Sequence, residues 1–271
     1  MAISTLDQAI TGLLPTYSLF RNIANRQNND TRILYSFFSP GVQPSAASGN
    51  VLLNSDAGAI PFSNPVSGNT YLAGLKVSPM SNFTLTSRKI LMVDRLWHGL
   101  LSSTTSLQTV NSVTFPARDN NGSTNGDGVY LAIEIGPTGN DGAPDWGVTV
   151  TYTNSAGVAG RTATVLSPYV QGFSREYRWF PLKLQSGDVG VRSVQDATFT
   201  AAIGVNTNIV AYRVLTQLYC QTTADGTGVA DVVSLGMPRV YNGSYLMFVY
   251  GNYLNSSIDI ASSFEVTLTQ G

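Results

Sequence analysis

From residue 31 to the C-terminus the chain is a succession of short runs rich in Val, Ile, Thr, Tyr and Phe, cut repeatedly by clusters of Gly, Pro, Asn and Asp. That punctuation leaves no room for long helices, because Gly and Pro break them while β-branched and aromatic residues suit a pleated, half-buried surface. Strands are expected near 31–38, 71–77, 89–96, 109–115, 128–135, 146–153, 161–166, 176–184, 190–200, 207–219, 229–235, 245–251 and 262–269. Many short strands without intervening helices predict an all-β fold, a sandwich or jelly-roll-like arrangement, and the absence of a fixed repeat disfavours solenoids and propellers.

Two hairpins can be read in more detail. Val148 to Thr153 alternates, Asn154-Ser155-Ala156-Gly157 turns the chain, and Arg161 to Val165 runs back. A second hairpin is expected from Thr114–Arg118 to Val129–Ile133, joined by the Gly- and Asn-rich loop 119–128. Tyr245 to Tyr250 reads as a buried strand. Residues 39–70, with Pro40, Gly41, Pro44, Gly49, Gly58, Pro61, Pro65 and Gly68, read as a long extended loop or arm.

The N-terminus differs. Ser4 as a cap and Ile3, Leu6, Ile10 and Leu13 or Leu14 at helical spacing predict a helix over residues 5–14. A second short helix is expected after Thr16, with Leu19, Phe20, Ile23 and Ala24 on one side. The chain thus divides into a helical N-terminal arm, residues 1–30, and a β-sandwich domain, 31–271. The arm either packs on its own domain or docks on a neighbouring subunit.

Composition narrows the function. Charged residues make up only 11% of the 271 positions, 43% are hydrophobic, and the formal net charge is −1. Such a chain folds rather than staying disordered, and its weakly self-repelling surface suits packing in an assembly. With 15 Lys and Arg against 16 Asp and Glu there is no basic stripe for phosphates, so nucleic acid is not expected as a partner. The opening residues lack a basic, apolar export signal and no stretch is long and apolar enough to span a bilayer, so no membrane partner and synthesis in the cytoplasm are expected. Cys220 is the single cysteine, which rules out an internal disulfide.

His98 is the single histidine, so no multi-histidine metal site exists, and no Gly-x-Ser-x-Gly elbow accompanies it; a hydrogen-bonded histidine beside core Trp97 is the plainer reading. Carboxylates that could pair for glycoside hydrolysis are Asp94, Asp127, Glu134, Asp141, Asp145, Glu176, Asp188 and Asp196, most of them in turns. The loop Asp119 to Asp127 begins like a calcium loop, but its sixth slot is Thr124 and its twelfth Tyr130, where such loops need Gly and Glu; otherwise it is a turn. No catalytic residue, metal or cofactor is assigned.

The stretch Phe173 to Pro181 mixes aromatics with arginine, as interface hot spots do, and Trp146 is an aromatic expected on an exposed loop. Trp146, Phe173, Arg175, Tyr177, Arg178 and Trp179 are therefore the candidate contact residues, with a plain core strand as the competing reading of 173–181.

Between residues 91 and 214, Asp94-Arg95-Leu96-Trp97-His98, Gln108 to Asp119, Gly126-Asp127-Gly128-Val129, Tyr152 to Gly157 with Gly160-Arg161-Thr162, and Leu184 to Ser193 form a specific set of motifs. With them this segment resembles a family of uncharacterised virion proteins of tailed bacteriophages, and Met1 to Asp7 is similar too. Residues 39–88 and 216–271 share less of it. The resemblance implies a virion structural role and no catalytic residues. Its favoured form is a decoration or cement protein on the capsid surface, binding the major capsid protein and copies of itself, with a trimer ahead of a dimer. A second reading is a tail or baseplate protein that binds host glycans through Tyr169, Phe173 and Trp146. A third is a glycan-cleaving enzyme using Glu134 or Glu176.

Overall fold

A computed structural model describes residues 3–26, 34–36, 44–79, 86–136, 145–166, 178–222, 227–252 and 258–271. Within them the elements are α1 (Leu6–Thr11), β1 (Tyr17–Arg26), β2 (Leu34–Ser36), β3 (Asn50–Val51), β4 (Thr70–Pro79), β5 (Thr86–Leu101), β6 (Gln108–Thr109), β7 (Val129–Ile135), β8 (Gly147–Asn154) and β9 (Arg161–Leu166). They continue with β10 (Arg178–Pro181), β11 (Val191–Phe199), β12 (Thr207–Thr222), β13 (Gly228–Ala230), α2 (Val232–Leu235), β14 (Arg239–Val240), β15 (Leu246–Asn252) and β16 (Ile258–Gln270). The fold is all-β, with every ladder antiparallel and sheets stacked as in a sandwich.

The middle layer closes on itself. β5 pairs with β12, β12 with β7, β7 with β10, β10 with β2, β2 with β15, and β15 with β5 again. Closure removes the sheet edges that open sheets must otherwise protect. It also gives these strands two buried faces. Leu91 and Val93 of β5, Ala132 of β7, Trp179 of β10, Val210 and Tyr212 of β12, and Met247 and Val249 of β15 point inward into one cluster. Their neighbours point out. Ile90, Met92, Leu246, Phe248 and Tyr250 meet one outer sheet, and Leu131, Ile133, Ile209 and Ala211 meet the other. The period-two alternation of a strand thus feeds three cores at once.

The first outer sheet has the order β1-β16-β4-β13, with β14 also on β4. It packs through Leu72, Leu75, Val77, Phe264, Val266 and Leu268. Phe248 of the barrel stacks on Phe264 of this sheet at 4.1 Å between centroids. The second outer sheet, β6-β11-β8-β9, contributes Val148, Val150, Val194, Ala197 and Phe199.

Several sequence expectations need correction. Residues 17–26 are not a second helix but the strand β1, paired with β16 from Tyr17↔Val266 onward. A helix of that length is marginal by itself, whereas the free edge of β16 offers a full ladder, and Tyr17 and Leu19 then pack on the core while Phe20 points out. The first helix is shorter than expected and capped by Thr5, whose Oγ1 accepts from the N–H of Gln8. It lies on its own chain: Thr269 Oγ1 donates to the Ala9 carbonyl at 2.6 Å, and the Leu14 N–H to the Leu268 carbonyl at 2.8 Å.

The strand expected at 229–235 stops at Ala230. Asp231 and Ser234 form a reciprocal capping box that starts α2, and Gly236 ends it in the left-handed region at φ 64°. The hairpin from 114–118 to 129–133 does not form: β7 is flanked by β12 and β10, and the chain before it runs beside β11, with the Ser112 N–H donating to the Val194 carbonyl. The hairpin β8–β9 is as expected, Val148↔Val165 to Tyr152↔Arg161, with Gly157 at φ 82° in its turn. Of the long segment 39–70, residues 44–69 are irregular apart from β3, but they are no free arm. Leu52 and Ala59 close one end of the barrel interior, and Tyr245 donates its hydroxyl to the Ala57 carbonyl.

Candidate interaction surface

Asp94, His98, Asp119, Glu134 and Asp188, all singled out in the sequence, are folded into internal hydrogen bonds. Inside the barrel Arg95 reaches across to Glu134 as a two-pronged pair, Nη1 to Oε1 at 2.9 Å and Nη2 to Oε2 at 2.8 Å, and Asn208 Nδ2 donates to the same Oε2 at 2.9 Å. Both ends of the pair are 1% exposed or less. Arg95 Nη2 also lies 2.9 Å from Nδ1 of His98. A guanidinium only donates, so Nδ1 accepts and the ring proton sits on Nε2. Burial, with the Arg95 charge second, pushes the His98 pKa down to about 2, so the ring is neutral throughout the physiological range. Glu134 is therefore closed off from a substrate, and Glu176 and Asp141 lie outside the described residues.

At the end of the barrel covered by residues 52–60, Asp94 accepts from Ser244 Oγ at 2.7 Å and from the Tyr245 N–H at 3.1 Å. Arg118 and Arg213 each come within 3.7 Å of it. Arg118 also donates to the carbonyls of Gly243 and Leu52, which pins the loop over the barrel end. Arg213 and Arg239 both lie over the ring of Tyr241, at 4.9 and 4.6 Å.

The Asp119 loop is a turn built on its own carboxylate. Oδ1 accepts from the N–H groups of Asn121 and Ser123, and Oδ2 from Ser123 Oγ and the N–H groups of Gly126 and Asp127. Burial alone would raise the Asp119 pKa, but these hydrogen bonds outweigh it and hold the group below the usual aspartate value. Donors already fill the lone pairs a calcium ion would need. Among the described residues no three His, Cys, Asp or Glu side chains converge as metal ligands. Asp188 is spent likewise: Arg161 Nε donates at 2.9 Å, Tyr152 Oη at 2.5 Å and Asn154 Nδ2 at 2.7 Å. Chiefly through Arg161, its pKa is held down at about 2.

The candidate contact residues divide. Trp146 is 3% exposed and packs edge-on against Phe180 and Phe199. Trp179 lies in the barrel against Tyr212, and Arg178 is buried. Arg178 and Trp179 are interior because β10 is a barrel strand covered on both faces, and Trp146, just before β8, is interior because it packs between the barrel and the second outer sheet. Phe173, Arg175 and Tyr177, with Tyr169, lie outside the described residues.

What the surface offers instead is apolar. In the first outer sheet, β1 and β13 stand at the two ends of the strand order, with no ladder on their outer sides among the described residues. Phe20 of β1 is 55% exposed and Val229 of β13 is 64% exposed. Leu6 and Ile10, at i and i+4, form an exposed stripe on α1, Leu13 just past the helix, bridged to Thr269, is exposed too, and so is Val233 of α2. Single exposed apolar residues are ordinary, but their coincidence with open strand edges is a feature of association surfaces. The sequence carried only part of this signal: the α1 stripe was readable from its spacing, while reading 17–24 as a helix hid the edge strand.

No family model and no curated protein matches this chain. Among solved structures, the VP2 subviral particle of infectious bursal disease virus is similar at 9% identity and a TM-score of 0.22, over 95% of this chain and 80% of that one. The Gx strain of the same virus is similar at 7% identity and a TM-score of 0.22, over 95% and 80%. The Gt strain follows at 8% identity and 0.20, over 94% and 81%. Superpositions at this level do not establish a shared fold or role.

Proposed function

We propose that this chain is a structural protein of a virus particle, and specifically a decoration or cement protein of a tailed-phage capsid, where it binds the major capsid protein and copies of itself. The observation that carries the reading is the first outer sheet, open at both ends of its strand order among the described residues, with Phe20 and Val229 exposed there. Such edges are hazards on a free monomer and useful in a protein that lives in an assembly. The low charge content, 11%, and the resemblance of residues 91–214 to tailed-phage virion proteins support the same reading.

A cement protein works by linkage. It binds the assembled lattice and not the free coat subunits, so each bound copy shifts the equilibrium toward the shell by mass action. The glycan-binding reading loses support, since Trp146, one of its three aromatics, is core.

The test is co-sedimentation of the purified chain with empty coat shells, followed by thermal melting of the shells with and without it. Saturable binding and a raised melting temperature are expected. A chain that stays in the supernatant and leaves the melting temperature unchanged rules out the cement role.

A further inference from the structure

The first outer sheet has a polarity that fixes how two copies can meet. β1 is antiparallel to β16, β16 to β4 and β4 to β13, so strand directions alternate across the whole sheet. If β1 of a second copy is placed beside β13, the alternation continues without reversal, and the new neighbours are again antiparallel.

The side chains agree. Val229 pairs with Lys76, Lys76 with Glu265 and Glu265 with Ser18, so Val229 lies on the outer face that also bears Ser18 and Phe20. In a β13-to-β1 junction, Val229 of one copy and Phe20 of the next stand on the same face as an apolar cross-strand pair. Charge is complementary as well: residues 17–26 include Arg21 and Arg26 and no acid, and residues 227–235 include Asp231 and no base. A two-fold pairing of β1 with itself would set one basic strand against another. From Tyr17 to Ile23 β1 keeps one register with no proline, a stretch of edge straight enough to receive another strand; its bulge comes only after Ile23.

We propose that copies of this chain associate head to tail, β1 of one copy adding to the β13 edge of the next. The partner is a second copy of the chain. Contacts of this kind are heterologous, closing into a ring when the rotation between copies divides the circle and otherwise running on as a filament. A closed ring fits the expectation of a cyclic oligomer on a symmetric lattice, and here the inference deepens the structural role proposed above.

The experiment is disulfide trapping in the full chain. Cys220 is 1% exposed and adjoins Gly228 in the interior, so the unaltered chain serves as the silent control. Phe20→Cys and Val229→Cys are made singly and together, then treated with mild oxidant or a short thiol-to-thiol crosslinker. The double variant is expected to give covalent species larger than a dimer, an equimolar mixture of the two single variants only dimers, and each single variant alone none. Dimers from Phe20→Cys alone would mean a two-fold β1 contact and overturn the proposal, as would a double variant that stays uncrosslinked. Light scattering on the unaltered chain guards against misfolded variants, since a monomer at every concentration is equally contrary. The trapping reads the junction alone: oligomers from a chain absent from particles would keep the junction and remove the virion role.

Discussion

Arg95 and Glu134 meet as a two-pronged ion pair in the interior of a closed β barrel, at 2.9 and 2.8 Å, where neither side chain is more than 1% exposed. Desolvation offsets most of the attraction in such a pair, so its main effect appears when one partner is lost. Glu134→Gln leaves the Arg95 charge buried without its counter-charge and is expected to destabilise the fold by about 3–5 kcal/mol in urea unfolding. Arg95→Met with Glu134→Leu should recover most of that loss. A Glu134→Gln protein as stable as the parent would contradict the buried pair.

Asp188 sets an acid limit on stability. Its pKa is about 2 in the folded chain, below the unfolded value near 3.8, so the folded state favours the ionised form. The stabilisation is complete above the unfolded value and is lost as pH falls through it toward about 2. Melting temperature should fall between pH 4 and pH 2, and more gently in Asp188→Asn, which starts lower. Equal slopes for the two proteins would show that Asp188 is not the group responsible.

Two glycines in left-handed conformations should respond differently to alanine. A Cβ on Gly160, at φ 72°, meets nothing within 4 Å, so only the backbone penalty of about 1–2 kcal/mol is expected. On Gly126, at φ 83°, it would lie 1.9 Å from the Val191 carbonyl oxygen, where the loop is bridged to the chain entering β11 through Asp127 and Gly190. Gly126→Ala should therefore cost more than Gly160→Ala by chemical denaturation, and the reverse order would refute the packing of this loop.

The Asp119 carboxylate organises its turn through hydrogen bonds to both oxygens. Asp119→Ala should destabilise by about 2 kcal/mol, within the usual range for hydrogen bonds to a charged group. Millimolar calcium should leave the melting temperature of the parent chain unchanged, and a calcium-dependent rise would return the loop to the metal-binding reading.

The strands were legible where pattern and turn agreed. Arg161–Leu166 and its hairpin with β8 follow from alternation bounded by the turn Asn154-Ser155-Ala156-Gly157. Barrel closure was not legible, because β2 at 34–36 meets β10 and β15 across most of the chain, and no local pattern encodes such partners. That also hid the ion pair: Tyr130, Ala132 and Glu134 share a face that reads as a solvent face until the sheet closes around it. Residues 17–24 misled because Leu19, Phe20, Ile23 and Ala24 fit a helical spacing, while the deciding factor was the free edge of β16. Trp146 and Trp179 illustrate the same limit, since aromatic content alone does not separate a hot spot from a core.

The proposed role makes the chain one of the building parts of a virus particle. Its most direct test is copy number per purified particle, by quantitative mass spectrometry against the major coat protein. A ratio near one to one, or a simple lattice fraction of it, is expected for a capsid cement protein. A handful of copies would move the chain to the tail or neck, and its absence from particles would contradict the virion role altogether.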